Sequence, residues 1–149
     1  MKKLFVAVMA MAITLGVLAP VVLQGGTASA CTPGLSPGYW KNHTEVWNGS
    51  DPEWVGPLPG DSFYVVFQLE GLNDMYGDPV ADPGITLEQA LNSKGGGQDA
   101  LNRMAVASLL NAYGVPGALG EGYVIEWVQN AYVYYRWEVF KDNLEKYIE

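Results

Sequence analysis

The chain has 149 residues, with 16 acidic against 8 basic side chains, a formal net charge of −8, one histidine and one cysteine. That balance excludes a nucleic-acid-binding face, which needs clustered Lys and Arg, and it opposes docking on an anionic membrane surface. A single cysteine excludes an intramolecular disulfide, so the fold must stand on its apolar core.

Residues 1–30 have the form of an export signal. Lys2 and Lys3 precede an uncharged apolar run over 4–23, and the stretch closes on Ala28-Ser29-Ala30, the small-x-small pattern that a signal peptidase cleft accepts. The run is also long enough to cross a bilayer as a helix, which leaves an uncleaved anchor as the alternative. Cleavage after Ala30 predicts one secreted or cell-surface domain, 31–149, of 119 residues, enough for a single core. Without Lys2 and Lys3 the eight basic residues become six against sixteen acidic ones, a net charge of −10. Cys31 then starts the mature chain, as a lipidation site, an intermolecular disulfide partner or a free thiol. Lipoprotein signals normally carry Leu three residues before the cysteine, and here that position is Ala28. Membrane contact is expected only through the signal or a lipid.

Residues 31–60 are rich in Gly, Pro and Trp and show little periodicity. They predict a coil-rich cap, turned at Pro33-Gly34, Pro37-Gly38 and Pro59-Gly60 and pinned by Tyr39, Trp40, Trp47 and Trp54. From residue 61 onward the pattern becomes helical. Asp61 and Ser62 are N-cap types, and Phe63, Val66 and Phe67 share a face of a short helix near 62–70, with a strand as the competing reading because of Val65-Val66. Residues 71–85 hold three glycines and two Asp-Pro pairs and predict a loop. Thr86 and Gln89 form a capping box at the start of the next helix, which the glycines at 95–97 stop. QDALNRMAVASLLNAYG, 98–114, is the most regular helical pattern in the chain, with Leu101, Met104, Ala105 and Ser108 at i, i+3, i+4, i+7. Residues 121–149 resume that spacing through Val124, Trp127, Val128 and Ala131. The YVYY run at 132–135 leaves two options: one long helix, or two over roughly 121–132 and 135–147. The fold class is therefore mainly α, a small helical bundle with an irregular N-terminal segment packed on it.

The motif T-P-G…G-Y-W-K-N-H, followed by TLEQAL, GGG and ALNRMAVASLLNAY, resembles a recurrent small domain of secreted bacterial and archaeal proteins. The resemblance spans most of 31–135 at scattered positions. It implies an extracellular, largely helical domain found on surface-associated proteins, in a family whose function is not established. The chain departs from the pattern by the extra Leu35-Ser36-Pro37-Gly38 and by the lack of the C-terminal cysteine that many members carry.

Four groups of residues raise the question of chemistry. GLSPG at 34–38 matches the nucleophile-elbow spelling, but Pro37 lacks the backbone N–H that such an elbow must supply. Tyr39, Trp40, Lys41, Asn42 and His43 mix rings with polar groups, the composition of a carbohydrate platform; the competing reading buries Trp40 against the helices. A zinc site is not expected, because Cys31 and His43 are the only residues of their kinds. Asp74, Asp78 and Asp82, with Asn73, crowd one loop and supply hard oxygens suited to calcium, without the EF-hand spacing; a solvated acidic loop is the alternative, and no cofactor is expected otherwise. Asn42 and Asn48 lie in N-x-S/T sequons.

The tail carries Tyr123, Trp127, Tyr132, Tyr134, Tyr135, Trp137, Phe140 and Tyr147, too many rings for one helical face. Tyr132, Tyr134, Tyr135 and Trp137 are thus candidates for an interface, unless 31–60 folds back over them. The leading expectation is a non-enzymatic structural or adhesive protein that contacts itself or other surface proteins. A glycan-binding module is the second reading, and a small secreted hydrolase using paired carboxylates the third.

Overall fold

The computed structural model describes residues 34–148. The signal expected over residues 1–30, Cys31 and the other residues before Gly34 lie outside that range. Six α-helices follow in chain order, with no β-strand among the described residues. They are α1 (Pro37–Asn42), α2 (Phe63–Val66), α3 (Leu87–Asn92), α4 (Gln98–Gly114), α5 (Glu121–Tyr134) and α6 (Trp137–Glu145).

The N-terminal segment is more ordered than its composition predicts. Ser36 Oγ accepts a hydrogen bond from Tyr39 N at 3.3 Å, and Pro37 occupies the first turn, where its missing N–H costs nothing. Helix α1 is the result. A 3₁₀ turn, Thr44–Val46, follows it. Trp47 returns into the core and its indole N–H donates to the carbonyl of Trp40 at 3.2 Å. The segment is otherwise coil and turn, and its one α-helix arises because Ser-Pro is itself a helix start.

Helix α2 is a single turn, shorter than predicted. Ser62 caps it, and the chain leaves at Gln68 with φ of 52°. The side-chain amide of Gln129 on α5 donates to the Phe67 and Gln68 carbonyls, each at 3.2 Å, and so ties off that turn. Helix α3 begins with the predicted capping box: Gln89 N donates to Thr86 Oγ1 and Thr86 N to Gln89 Oε1. It ends at Asn92, before the glycines. Arg103 Nη1 donates to the Ser93 and Gly95 carbonyls at 2.8 and 2.9 Å and ties the exit segment to α4.

Helix α4 runs through the centre and packs against α1, α3, α5 and α6. Residues 105–111 are buried without interruption. A helix enclosed on all sides is apolar on all sides, and small side chains at Ala105, Ala107 and Ser108 let its neighbours approach closely. The core around it contains Trp40, Trp47, Phe63, Phe67, Leu87, Leu101, Leu109, Val128 and Leu144.

Helices α5 and α6 are separate. Tyr135 adopts the left-handed conformation (φ 53°, ψ 37°), and both its N–H and that of Arg136 reach the Ala131 carbonyl. This helix-ending geometry normally belongs to glycine. A tyrosine there bears roughly 1 kcal/mol of backbone strain or more, so its side chain must be held by something else. No helix among the described residues is long and apolar enough to cross a membrane.

Candidate functional site

The aromatic motif of α1 divides into a buried half and an exposed half. Trp40 is 1 % exposed. Its indole N–H donates to Asn111 Oδ1 on α4 at 2.9 Å. The same oxygen accepts from Leu35 N at 2.8 Å, and Asn111 Nδ2 donates to the Leu35 carbonyl at 2.9 Å. One buried amide therefore holds both the incoming chain and the tryptophan of the motif. Gly34 is required beside it, because a Cβ there would press into the Asn111 amide.

Tyr39 stands edge-on to Trp40 and stacks on His43, with centroids 4.3 Å apart. His43 Nδ1 lies 3.0 Å from the exposed Glu45 carboxylate. Lys41 and Asn42 are exposed. Trp40 is thus withdrawn from the carbohydrate platform: its ring faces the core and its only polar atom is already bonded. What remains at the surface is the Tyr39–His43 pair with two polar neighbours. Both sequon asparagines, Asn42 and Asn48, are exposed, and Asn48 Oδ1 accepts from Ser50 N.

The acidic loop and the end of α5 form a second, larger assembly. Met75 N donates to the Val133 carbonyl at 2.8 Å, which seats the loop on the α5 terminus. Asp74 is buried. Its Oδ1 accepts from Tyr76 N at 2.9 Å and Asp78 N at 3.0 Å, and its Oδ2 accepts from the Tyr135 hydroxyl. The Tyr135 hydroxyl above all, then the Tyr76, Asp78 and Gly77 amides, holds the Asp74 carboxyl below the usual aspartate range. The Tyr135 phenol is correspondingly raised, first by its bond to Asp74. Of the three calcium candidates, Asp74 is therefore engaged with N–H and O–H donors, while Asp78 and Asp82 are exposed and Asp82 Oδ1 accepts from Gly84 N. Among the described residues no three His, Cys, Asp or Glu side chains gather in a metal-holding group.

The four interface candidates also separate. Tyr132 lies in the core, packed on Phe63 and Trp137. Its hydroxyl donates to Asn102 Oδ1 at 2.9 Å and accepts from Gln98 Nε2 at 3.1 Å, so it leaves the candidate interface. Trp137 is half-buried, while Tyr134 and Tyr135 are exposed. Tyr76, on the acidic loop, joins them with its ring 6.2 Å from that of Tyr135. The described part of the N-terminal segment leaves Tyr134 and Tyr135 exposed, and its helix α1 packs on α3 and α4. Between Tyr135 and Trp137 opens a cleft of about 70 Å³, lined also by Val80, Ala81, Gln98 and Tyr132.

No family model, curated protein or solved structure matches this chain. Sequence reasoning overlooked Tyr76, Asn111 and Gln98. Asn111 had a legible signal: a lone amide at the end of the apolar run of α4 must find partners when it is buried. Tyr76 had none, because its neighbourhood comes from a loop docking sixty residues away in the chain.

Proposed function

We propose that this chain is a non-enzymatic interaction domain of secreted or cell-surface type, which associates with itself through the face built from residues 74–78 and the α5–α6 junction. One observation carries the reading: Met75, Tyr76, Tyr134 and Tyr135 are 54, 76, 50 and 49 % exposed and come from two segments that are hydrogen-bonded together. Exposed aromatic and Met side chains gathered in this way are the composition of an interface core. The Asp74–Tyr135 bond and the Met75–Val133 bond make the face rigid, so little ordering entropy is lost on contact. The export signal read at 1–30 and the likeness of the 32–113 motifs to a domain of secreted proteins support the extracellular placement.

Light scattering and sedimentation over a range of protein concentrations test the proposal. The expected result is reversible association that weakens in a Tyr76→Ser, Tyr134→Ser double variant with an unchanged helical circular-dichroism spectrum. A strict monomer at the highest attainable concentration overturns it.

A further inference from the structure

The cleft beside this face has a chemistry of its own. Three rings meet in it at near right angles: Trp137 stands edge-to-face with Tyr132 (centroids 4.9 Å, 79°) and with Tyr135 (5.7 Å, 85°). Val80 and Ala81 complete an apolar wall, and no basic side chain belongs to the lining. The two phenol hydroxyls are already engaged. The Tyr135 hydroxyl is bonded to Asp74, and the Tyr132 hydroxyl to both Asn102 and Gln98. A ligand that must be read through many hydroxyl hydrogen bonds, such as a sugar, finds few partners here.

What the cleft offers instead is ring faces and a negative field. Asp74 touches Tyr135, and Asp78 acts on the same phenol from the loop. Asp82 and Asp99 adjoin the lining residues Ala81 and Gln98 in the chain, and both carboxylates oppose ionisation of the Tyr132 phenol. An aromatic face carries negative quadrupolar potential and attracts a cation, most of all one that is weakly hydrated and asks for no hydrogen bonds. A methylated ammonium head meets both conditions and is small enough for such a cavity.

We propose that the cleft between Tyr135 and Trp137 binds a methylated alkylammonium ion, held by cation–π contact with Tyr132, Tyr135 and Trp137 and by the negative field of Asp74, Asp78, Asp82 and Asp99. The site shares Tyr135 with the self-association face but does not rest on that reading: the cation enters the cleft, and Tyr76 and Tyr134, which the association test varies, do not line it.

Titration of the full chain with choline, with its uncharged carbon isostere and with methyl glucoside tests the assignment, read by calorimetry and by the tryptophan indole resonances in NMR. Choline is expected to bind saturably and at least about tenfold more tightly than the isostere, since charge supplies the larger part of the attraction. The perturbed indole is expected to be that of Trp137. Asp82→Asn, at an exposed position, is expected to weaken choline binding severalfold without lowering the melting temperature, and Trp137→Leu to abolish it. Equal binding of choline and the isostere overturns the proposal by showing a merely apolar cleft. Preferential binding of the glucoside, or no saturable response to choline by the wild-type chain, overturns it as well.

Discussion

Asn111 and Trp40 stand 71 positions apart in the chain and share a buried hydrogen bond of 2.9 Å. The same amide also closes two bonds to the backbone of Leu35. This single side chain helps fasten a Gly- and Pro-rich lead segment to the core, because α1 is only six residues long and buries one ring, that of Trp40.

Asn111→Ala is expected to destabilise the domain by about 3 kcal/mol, because it strands the Trp40 indole N–H in the interior and frees both polar groups of Leu35. Urea unfolding measures the loss. A red shift of tryptophan emission before the main transition is expected too, as α1 and Trp40 detach first. An Asn111→Ala protein as stable as the wild type removes the amide from this role.

Ser108 lies on the same helix with the opposite outcome. Its Oγ is buried and has no hydrogen-bond partner among the described residues. Ser108→Ala removes a desolvated hydroxyl at almost no change in volume, and it is expected to leave stability unchanged or raise it by about 1 kcal/mol. Thermal unfolding of the two proteins side by side decides it.

Acid sensitivity is expected to centre on Asp74. Its folded pKa is depressed, chiefly by the Tyr135 hydroxyl, so its contribution is complete above the ordinary aspartate value near 4 and is lost as pH falls through the lower folded value. Tyr135→Phe removes the largest cause. The stability-versus-pH curve of that variant is expected to be flatter below pH ~4 than that of the wild type. Parallel curves would detach Asp74 from the acid limb.

Alkaline titration has a marker as well. Burial, aided by the carboxylate of Glu121, pushes the Tyr113 phenol up to about 12. The neutral phenol is the form that the fold favours, so its contribution is whole below the ordinary tyrosine value of 10 and disappears as pH rises through about 12. Near-ultraviolet absorbance is expected to show Tyr113 ionising late, and Glu121→Gln to move it back toward the ordinary value. A titration unmoved by that variant leaves burial as the whole cause.

Tyr135→Gly probes the strained residue between α5 and α6. Glycine accepts the left-handed backbone freely, yet the change deletes the ring over Trp137 and the bond to Asp74. Helix content is expected to survive while hydrogen exchange speeds up over residues 71–80, because the loop loses its tether.

Local chemistry in the sequence was sufficient for α3 and α4. Thr86 with Gln89, the glycines at 95–97 that stop α3, and the spacing of Leu101, Met104, Ala105 and Ser108 act within a turn or two, so their signals survive without neighbours. The start of α1 was also written locally, in Ser36-Pro37, and was obscured by the surrounding glycines. The aromatic run at the end of α5 is different. Tyr132, Val133, Tyr134 and Tyr135 all seek burial to a similar degree, so periodicity cannot rank them. Only the docking of Asp74 and Met75 against that terminus, and the packing of Tyr132 on Phe63, decide which ring goes inward and which are left at the surface. Composition and capping thus determined that the chain is helical and where its central helices begin. Long-range packing determined which rings form the core and which form the face, because burial is a property of what arrives from elsewhere in the chain.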